Sequence, residues 1–167
     1  RVLYRKRGNV ESIVAAHSVA VGYDGPIQVE TPPQYGDGGF SPASGGGVKW
    51  YEFRIGEDRT VTTYQEGTYA PGVDVRGEVD SGPYRWLPSP AMDKFGNIGV
   101  GYSWGSAEDY AGQRFAGRTP SDSLGQLALS EMTLITGSAA QTYGLRWEDY
   151  TQTAIDPSDD CTVWYVG

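Results

Sequence analysis

Residues 85–102 read "RWLPSPAMDKFGNIGVGY", and residues 146–165 read "RWEDYTQTAIDPSDDCTVWY". Each stretch opens on Arg-Trp, passes through Ala-hydrophobe-Asp into a turn, and closes on a hydrophobic run ending in Tyr. Asp93 stands nine residues before Tyr102, and Asp156 stands nine before Tyr165, so the two copies keep one hairpin register. In the first copy Asp93 caps its own turn, and Gly96 with Asn97 supplies the positive φ that a tight hairpin needs. Duplication is the economical explanation.

Working outward, "AGQRFAGR" (111–118) reads as a third strand and "SEMTLITG" (130–137) as a fourth, with the loop "TPSDSLGQL" between them. Four short strands repeating at about sixty residues predict a β-propeller blade. Upstream, "ESIVAAHSVAV" (11–21), "VKWYEFRI" (48–55) and "TVTTYQEG" (60–67) fall in the same places. The expected fold is therefore all-β: a partial β-propeller of about two and a half four-stranded antiparallel blades. Residues 1–7 would be the outer strand of a preceding blade and 8–80 a blade with a long Gly/Pro-rich loop at 24–46. Residues 81–140 would form the next blade and 141–167 the first half of another. A ring needs four to eight blades, so the expectation is a segment of a larger propeller, or a chain that completes one with others.

Composition agrees with an all-β chain of 167 residues: 24 are Gly, ten are Pro, and Tyr, Trp and Phe together make up 13%. The net charge of -8 argues against a nucleic-acid partner, because phosphate binding needs a basic face. No run of eighteen apolar residues predicts a membrane span, and the basic start "RVLYRKRG" has no apolar core behind it, so any export signal would lie elsewhere. The one cysteine, Cys161, has no internal partner; it is either a small buried residue of the strand "CTVWY" or half of a disulfide reaching outside this chain. With a single Cys and a single His, a zinc site is excluded and no cofactor is expected.

Taken in order, "GVKWYEFR", "YQEGTYAP", "YRW", "AMDKFGNIGVGYS", "RFAGR" and "RWEDYTQTAIDPSDDCTVWY" resemble the C-terminal part of a group of large secreted bacterial proteins with sialidase-like (BNR-type) β-propellers. The resemblance covers nearly the whole chain apart from the loop. It implies a propeller, an extracellular or cell-surface location, and a second cysteine beyond this stretch as partner of Cys161. It does not imply an activity, because propellers serve as hydrolases, lyases, lectins and scaffolds alike.

A sialidase-type hydrolase would need arginines to grip a carboxylate, a Tyr activated by a Glu, and an acid/base Asp. The types are present in Arg85, Arg114, Arg118 and Arg146, with Tyr84, Tyr102, Tyr150, Glu148 and Asp149. Yet Arg85-Trp86 and Arg146-Trp147 recur per repeat, which favours a structural role for them. His17, within "IVAAHSVAV", reads as a hydrogen-bonded core histidine rather than a general base. The turns "DKFGN" and "DPSDD" offer carboxylates to Ca²⁺, although Asp-stabilised turns explain them without metal. Tyr35 and Phe40 suggest the long Gly/Pro-rich loop as a protein interface, and exposed aromatics elsewhere could stack on glycans. The function expected is a non-enzymatic extracellular structural or adhesive module, assembling with copies of itself or with remaining blades. The alternatives are a glycoside hydrolase or a glycan-binding propeller.

Overall fold

The computed structural model describes residues 1–22, 43–143, 147–148 and 150–167. Tyr35, Phe40, Arg146 and Asp149 lie outside the described residues, as does the expected loop up to residue 42. Among the described residues there is no helix, and therefore none long and apolar enough to cross a membrane. The first sheet is β1 (Val2–Arg7), β2 (Val10–Val21), β3 (Gly45–Ile55) and β4 (Val61–Tyr69), paired in that order. The second is β5 (Tyr84–Met92), β6 (Ile98–Gly105), β7 (Gly112–Arg118) and β8 (Leu129–Ile135), again in chain order. The third is the two-stranded pair β9 (Gln152–Ile155) and β10 (Val163–Val166). Every pairing is antiparallel, as short connections between neighbouring strands demand.

Two boundaries differ from expectation. Residues 1–7 are not the trailing strand of a preceding unit: β1 pairs with β2 from Val2↔Ala15 to Arg7↔Val10, turning at Gly8 with φ of +56°. The first four-stranded unit therefore begins at Val2, one strand earlier than the sequence suggests, because a two-residue Gly-Asn turn hides a hairpin like that of 92–98. Likewise β3 begins inside the expected loop, at Gly45. Gly45–Gly47 read as linker, yet a Cβ on Gly45 would stand 2.7 Å from the Pro83 carbonyl, so this strand end needs glycine to pass close under the 70–83 connection.

The sheets stack face to face. β2 and β3 lie against β5, and β9 lies against β5 and β6 on the opposite side of the second sheet. Alternation along β6 makes this work: Ile98, Val100, Tyr102 and Trp104 join Val14, Val48 and Trp50 in the core between the first two sheets. Gly99, Gly101 and Ser103 face the third sheet, and a Cβ on Gly101 would stand 2.2 Å from the Tyr165 ring. A two-stranded hairpin is marginal alone, so β9–β10 depends on this docking. Thr151 Oγ1 donates to the Leu87 carbonyl (2.6 Å), and Thr153 donates twice to Ser89, from N to Oγ (2.8 Å) and from Oγ1 to the carbonyl (2.6 Å). Pro88 and Pro90 fit β5 because it is an edge strand, with its register shift falling between Trp86 and Ser89.

The repeated sentence now has a physical meaning: its copies touch. Trp86 and Trp147 meet edge to face with ring centroids 5.9 Å apart. The two turns meet as well, Lys94 N donating to the Asp160 carbonyl (3.0 Å) and Lys94 Nζ to that of Asp159 (2.6 Å).

Candidate functional site

Two of the expected arginines, Arg85 and Arg114, do converge, but around a residue that the repeat did not single out. Glu131, on β8, receives Arg85 Nε at 2.8 Å and Arg85 Nη2 at 3.2 Å, Arg114 Nη1 at 2.9 Å, and the Tyr102 hydroxyl at 2.6 Å. These four side chains come from β5, β6, β7 and β8, one from each strand of the second sheet. Arg85 also donates to the Pro71 carbonyl (2.8 Å) and lies over the Tyr69 ring, while Arg114 stacks on Trp104 with 3.5 Å from guanidinium carbon to centroid. Charge-assisted and bidentate bonds of this kind fix geometry strongly.

Chemically the cluster has the parts of a Tyr–Glu nucleophile with arginines, but not their disposition. Tyr102 is fully buried and Arg85 is 2% exposed. Burial, followed by the hydrogen bond to Glu131, pushes the Tyr102 phenol far above its ordinary range, whereas a nucleophile needs its proton made easier to lose. Burial alone would raise the Glu131 carboxyl. The hydrogen bonds from Arg85, Tyr102 and Arg114 outweigh it and hold the group below the usual carboxylate range. The arginines are spent on Glu131 rather than aimed at a ligand.

The other candidates separate. Tyr84 donates to Asp80 and lies near the Ala43 carbonyl (3.4 Å), and burial followed by that Asp raises its phenol to about 12. Arg118, 3% exposed, donates to Gln65 and to the carbonyls of Thr119 (3.1 Å) and Asp122 (2.8 Å), on the far side of the core from Arg85's partners. Glu148 accepts from Ser103 Oγ at 2.9 Å, which in turn accepts from Trp147 Nε1 at 3.2 Å, so this pair pins the third sheet to β6. Tyr150 is 77% exposed beneath Arg1.

His17 is not a core residue. It lies on the exposed face of β2, stacked on Tyr51, with Nε2 3.2 Å from the Tyr51 hydroxyl and Nδ1 2.8 Å from the Ser18 carbonyl. An apolar run had suggested burial, but the strand's alternation puts His17 opposite Val14 and Ala16. Cys161 is half-buried and free, and sits in the turn before β10 rather than in a strand; burial and then Asp159 raise its thiol.

In the turn 93–97, Asp93 Oδ1 accepts from the backbone of Phe95 (2.8 Å) and Asn97 (2.9 Å), and Oδ2 from Asn97 Nδ2 (2.6 Å). Gly96 alone takes the positive φ there, at +90°. In the turn 156–162, Asp156 accepts from Ser158 N (2.8 Å) and Trp164 Nε1 (2.9 Å), and Asp159 from Cys161 N and Thr162 N. The carboxylates weighed for calcium are thus engaged within the protein, Asp93, Asp156 and Asp159 mostly by their own turns and Asp160 by Arg5 of β1, and among the described residues no group of His, Cys, Asp or Glu is arranged to hold a metal.

No family model, curated protein or solved structure matches this chain.

Proposed function

We propose that this chain is a structural β-propeller module that assembles with further strands, supplied by other copies or by the rest of a larger propeller, at a bacterial cell surface or outside the cell. The observation that carries the proposal is a groove beside the free edge of β10. It is lined by Gln113, Phe115, Met132, Leu134, Ile135, Val163 and Tyr165. Met132, Leu134 and Ile135 are 44%, 49% and 58% exposed, an apolar strip that a soluble surface rarely leaves open.

The stacking pattern says what belongs there. In each of the first two sheets the second strand is followed by a third and a fourth, and β9–β10 lies on the second sheet as the start of such a unit. Two more antiparallel strands, paired to the open edge of β10, would lie across Phe115 and β8 and close the groove by β-augmentation. The opposite end of the stack is also apolar: Ile13, Tyr51 and Phe53 lie half-buried on the outer face of the first sheet, where a preceding unit would pack. The resemblance to sialidase-like secreted proteins supports propeller and compartment together. A hydrolase draws no support from Arg85 and Arg114, which are engaged with Glu131, or from Arg118, which is held by Gln65 and the Thr119 and Asp122 carbonyls.

Native and denaturing mass spectrometry of wild type and of the double variant Met132→Lys/Leu134→Lys tests assembly. The expected result is a native mass that is a multiple of the 18.1 kDa chain and falls to one chain in the variant. A wild type that stays a single 18.1 kDa particle at tens of micromolar, and binds no strand peptide at the groove, sinks the assembly reading.

A further inference from the structure

At the other end of the first interface lies a second arginine group that the Glu131 cluster does not use. Arg7 at the end of β1, Arg54 on β3 and Arg118 at the end of β7 line one cleft with Glu52, Tyr64 and Leu124. Glu52 is the one carboxylate among the cleft's lining residues, and both of its oxygens are occupied. Oε1 accepts from Arg54 Nε (2.6 Å) and Ser12 Oγ (3.1 Å), and Oε2 from Gln65 Nε2 (2.6 Å). Three guanidiniums against one carboxylate leave two positive charges in a protein whose net charge is -8.

Donors are left over among these arginines. Arg54 gives Nε to Glu52 and stands over the Tyr64 ring, 3.8 Å from guanidinium carbon to centroid, so its two Nη groups are not used on Glu52. Arg7 makes one 3.3 Å bond from Nη1 to the Phe95 carbonyl, and its buried Nε–H has no partner. Arg118 is fixed from behind by Gln65 and the carbonyls of Thr119 and Asp122. A Cβ on Gly96 would fall 2.6 Å from Arg7 Nη1, so the glycine of the repeated turn is what lets the Arg7 side chain lie there. Unpaired buried donors are costly, and converging guanidiniums repel one another unless an anion sits among them.

We propose that this cleft binds a small doubly charged oxyanion of the sulfate or phosphate type. Charge selects it over a halide or a monocarboxylate, because two positive charges remain to be matched. Guanidinium geometry selects it as well, because planar forks pair with two oxygens at once. Size selects it too: the cleft's volume is about 40 Å³, far below the range of pockets that enclose organic ligands. The anion would bridge β1 and β3 of the first sheet to the end of β7 of the second, joining two sheets at a point where neither has a partner for its charge.

Isothermal titration of the full chain with sodium sulfate, sodium phosphate and phenyl phosphate, against sodium chloride at matched ionic strength, tests the site. Saturable binding of the dianions with none for chloride is expected, and Arg7→Gln or Arg54→Gln should weaken it at least tenfold. Phenyl phosphate binding as well as phosphate would identify the ester head of a larger molecule as a ligand; exclusion of it would identify the free ion. Dianion binding no stronger than chloride, or binding unchanged in both variants, overturns the proposal. The wild-type selectivity stands as a test even if one variant folds poorly.

Discussion

Replacing Glu131 by Gln removes one charge and almost no volume, so its effect isolates the electrostatic part of the buried cluster. In the wild type that charge receives four hydrogen bonds at 2.6 to 3.2 Å. Without it, Arg85 stays 2% exposed with only neutral acceptors, the Pro71 carbonyl and the new amide oxygen, and Arg114 loses its one ion pair while keeping its stacking on Trp104. Breaking a buried pair from one side costs about 3–5 kcal/mol. Arg114 has 26% of its side chain exposed and can rehydrate, which places the expected loss near the lower end, about 3 kcal/mol. For a chain of this length that lowers Tm by about 6–12 °C. Urea unfolding followed by tryptophan fluorescence reads the loss directly. Acid supplies a second reading. Because the folded Glu131 carboxyl sits below its ordinary range, the cluster's contribution is complete above that range and disappears as pH falls through the depressed value. Glu131→Gln should therefore flatten that part of the acid dependence. A loss under about 1 kcal/mol, within what an exposed pair contributes, would refute the view that the cluster ties the four strands together.

Two further outcomes follow from close contacts. Gly101→Ala places a methyl 2.2 Å from the Tyr165 ring and must push β10 off β6, at a cost of about 1–3 kcal/mol. Limited proteolysis within residues 156–162 should then speed up, and combining it with Tyr165→Ala should be less than additive. Asp93→Ala strips the acceptor from three donors in the turn 93–97, and Asp93 itself is 4% exposed. The expected loss is about 1–3 kcal/mol, with faster amide exchange at Phe95 and Asn97 that unchanged protection would contradict.

The hairpin at 92–98 was legible because its signals are local: an Asp that caps, a Gly that takes φ of +90°, and strand formers on both sides. The unit of four antiparallel strands was legible for the same reason. What escaped depended on which atoms lie across a sheet or between sheets. Gly45–Gly47 reads as a linker until the Pro83 carbonyl is placed 2.7 Å from where a Cβ would be. His17 reads as core until alternation along β2 is phased by Val14 and Ala16. Glu131 had no signal at all: one Glu in "SEMTLITG" looks like any solvated strand residue, and only the bulged pairing of β7 with β8 carries it under Arg85 and Tyr102. The residue types of a candidate site were thus readable, but their assembly into a buried clamp was not.

The two arginine groups show why residue type could not decide function here. Arg85 and Arg114 share one central, half-buried carboxylate, which leaves a single positive charge with both guanidiniums already turned onto Glu131. Arg7 and Arg54 flank a carboxylate already saturated by Ser12 and Gln65 as well as by Arg54, so charge is left over at the surface of the same interface. The chemistry on offer is alike in both places, and the difference is one of stoichiometry. Since each group spans strands of a sheet or joins two sheets, the repeat supplies the positions and the departures from it supply the imbalance. A ligand site in such a protein is therefore to be sought where most charge is left unmatched, and the cleft at Arg7, Arg54 and Arg118, with three guanidiniums to one carboxylate, exceeds the Glu131 cluster, with two to one.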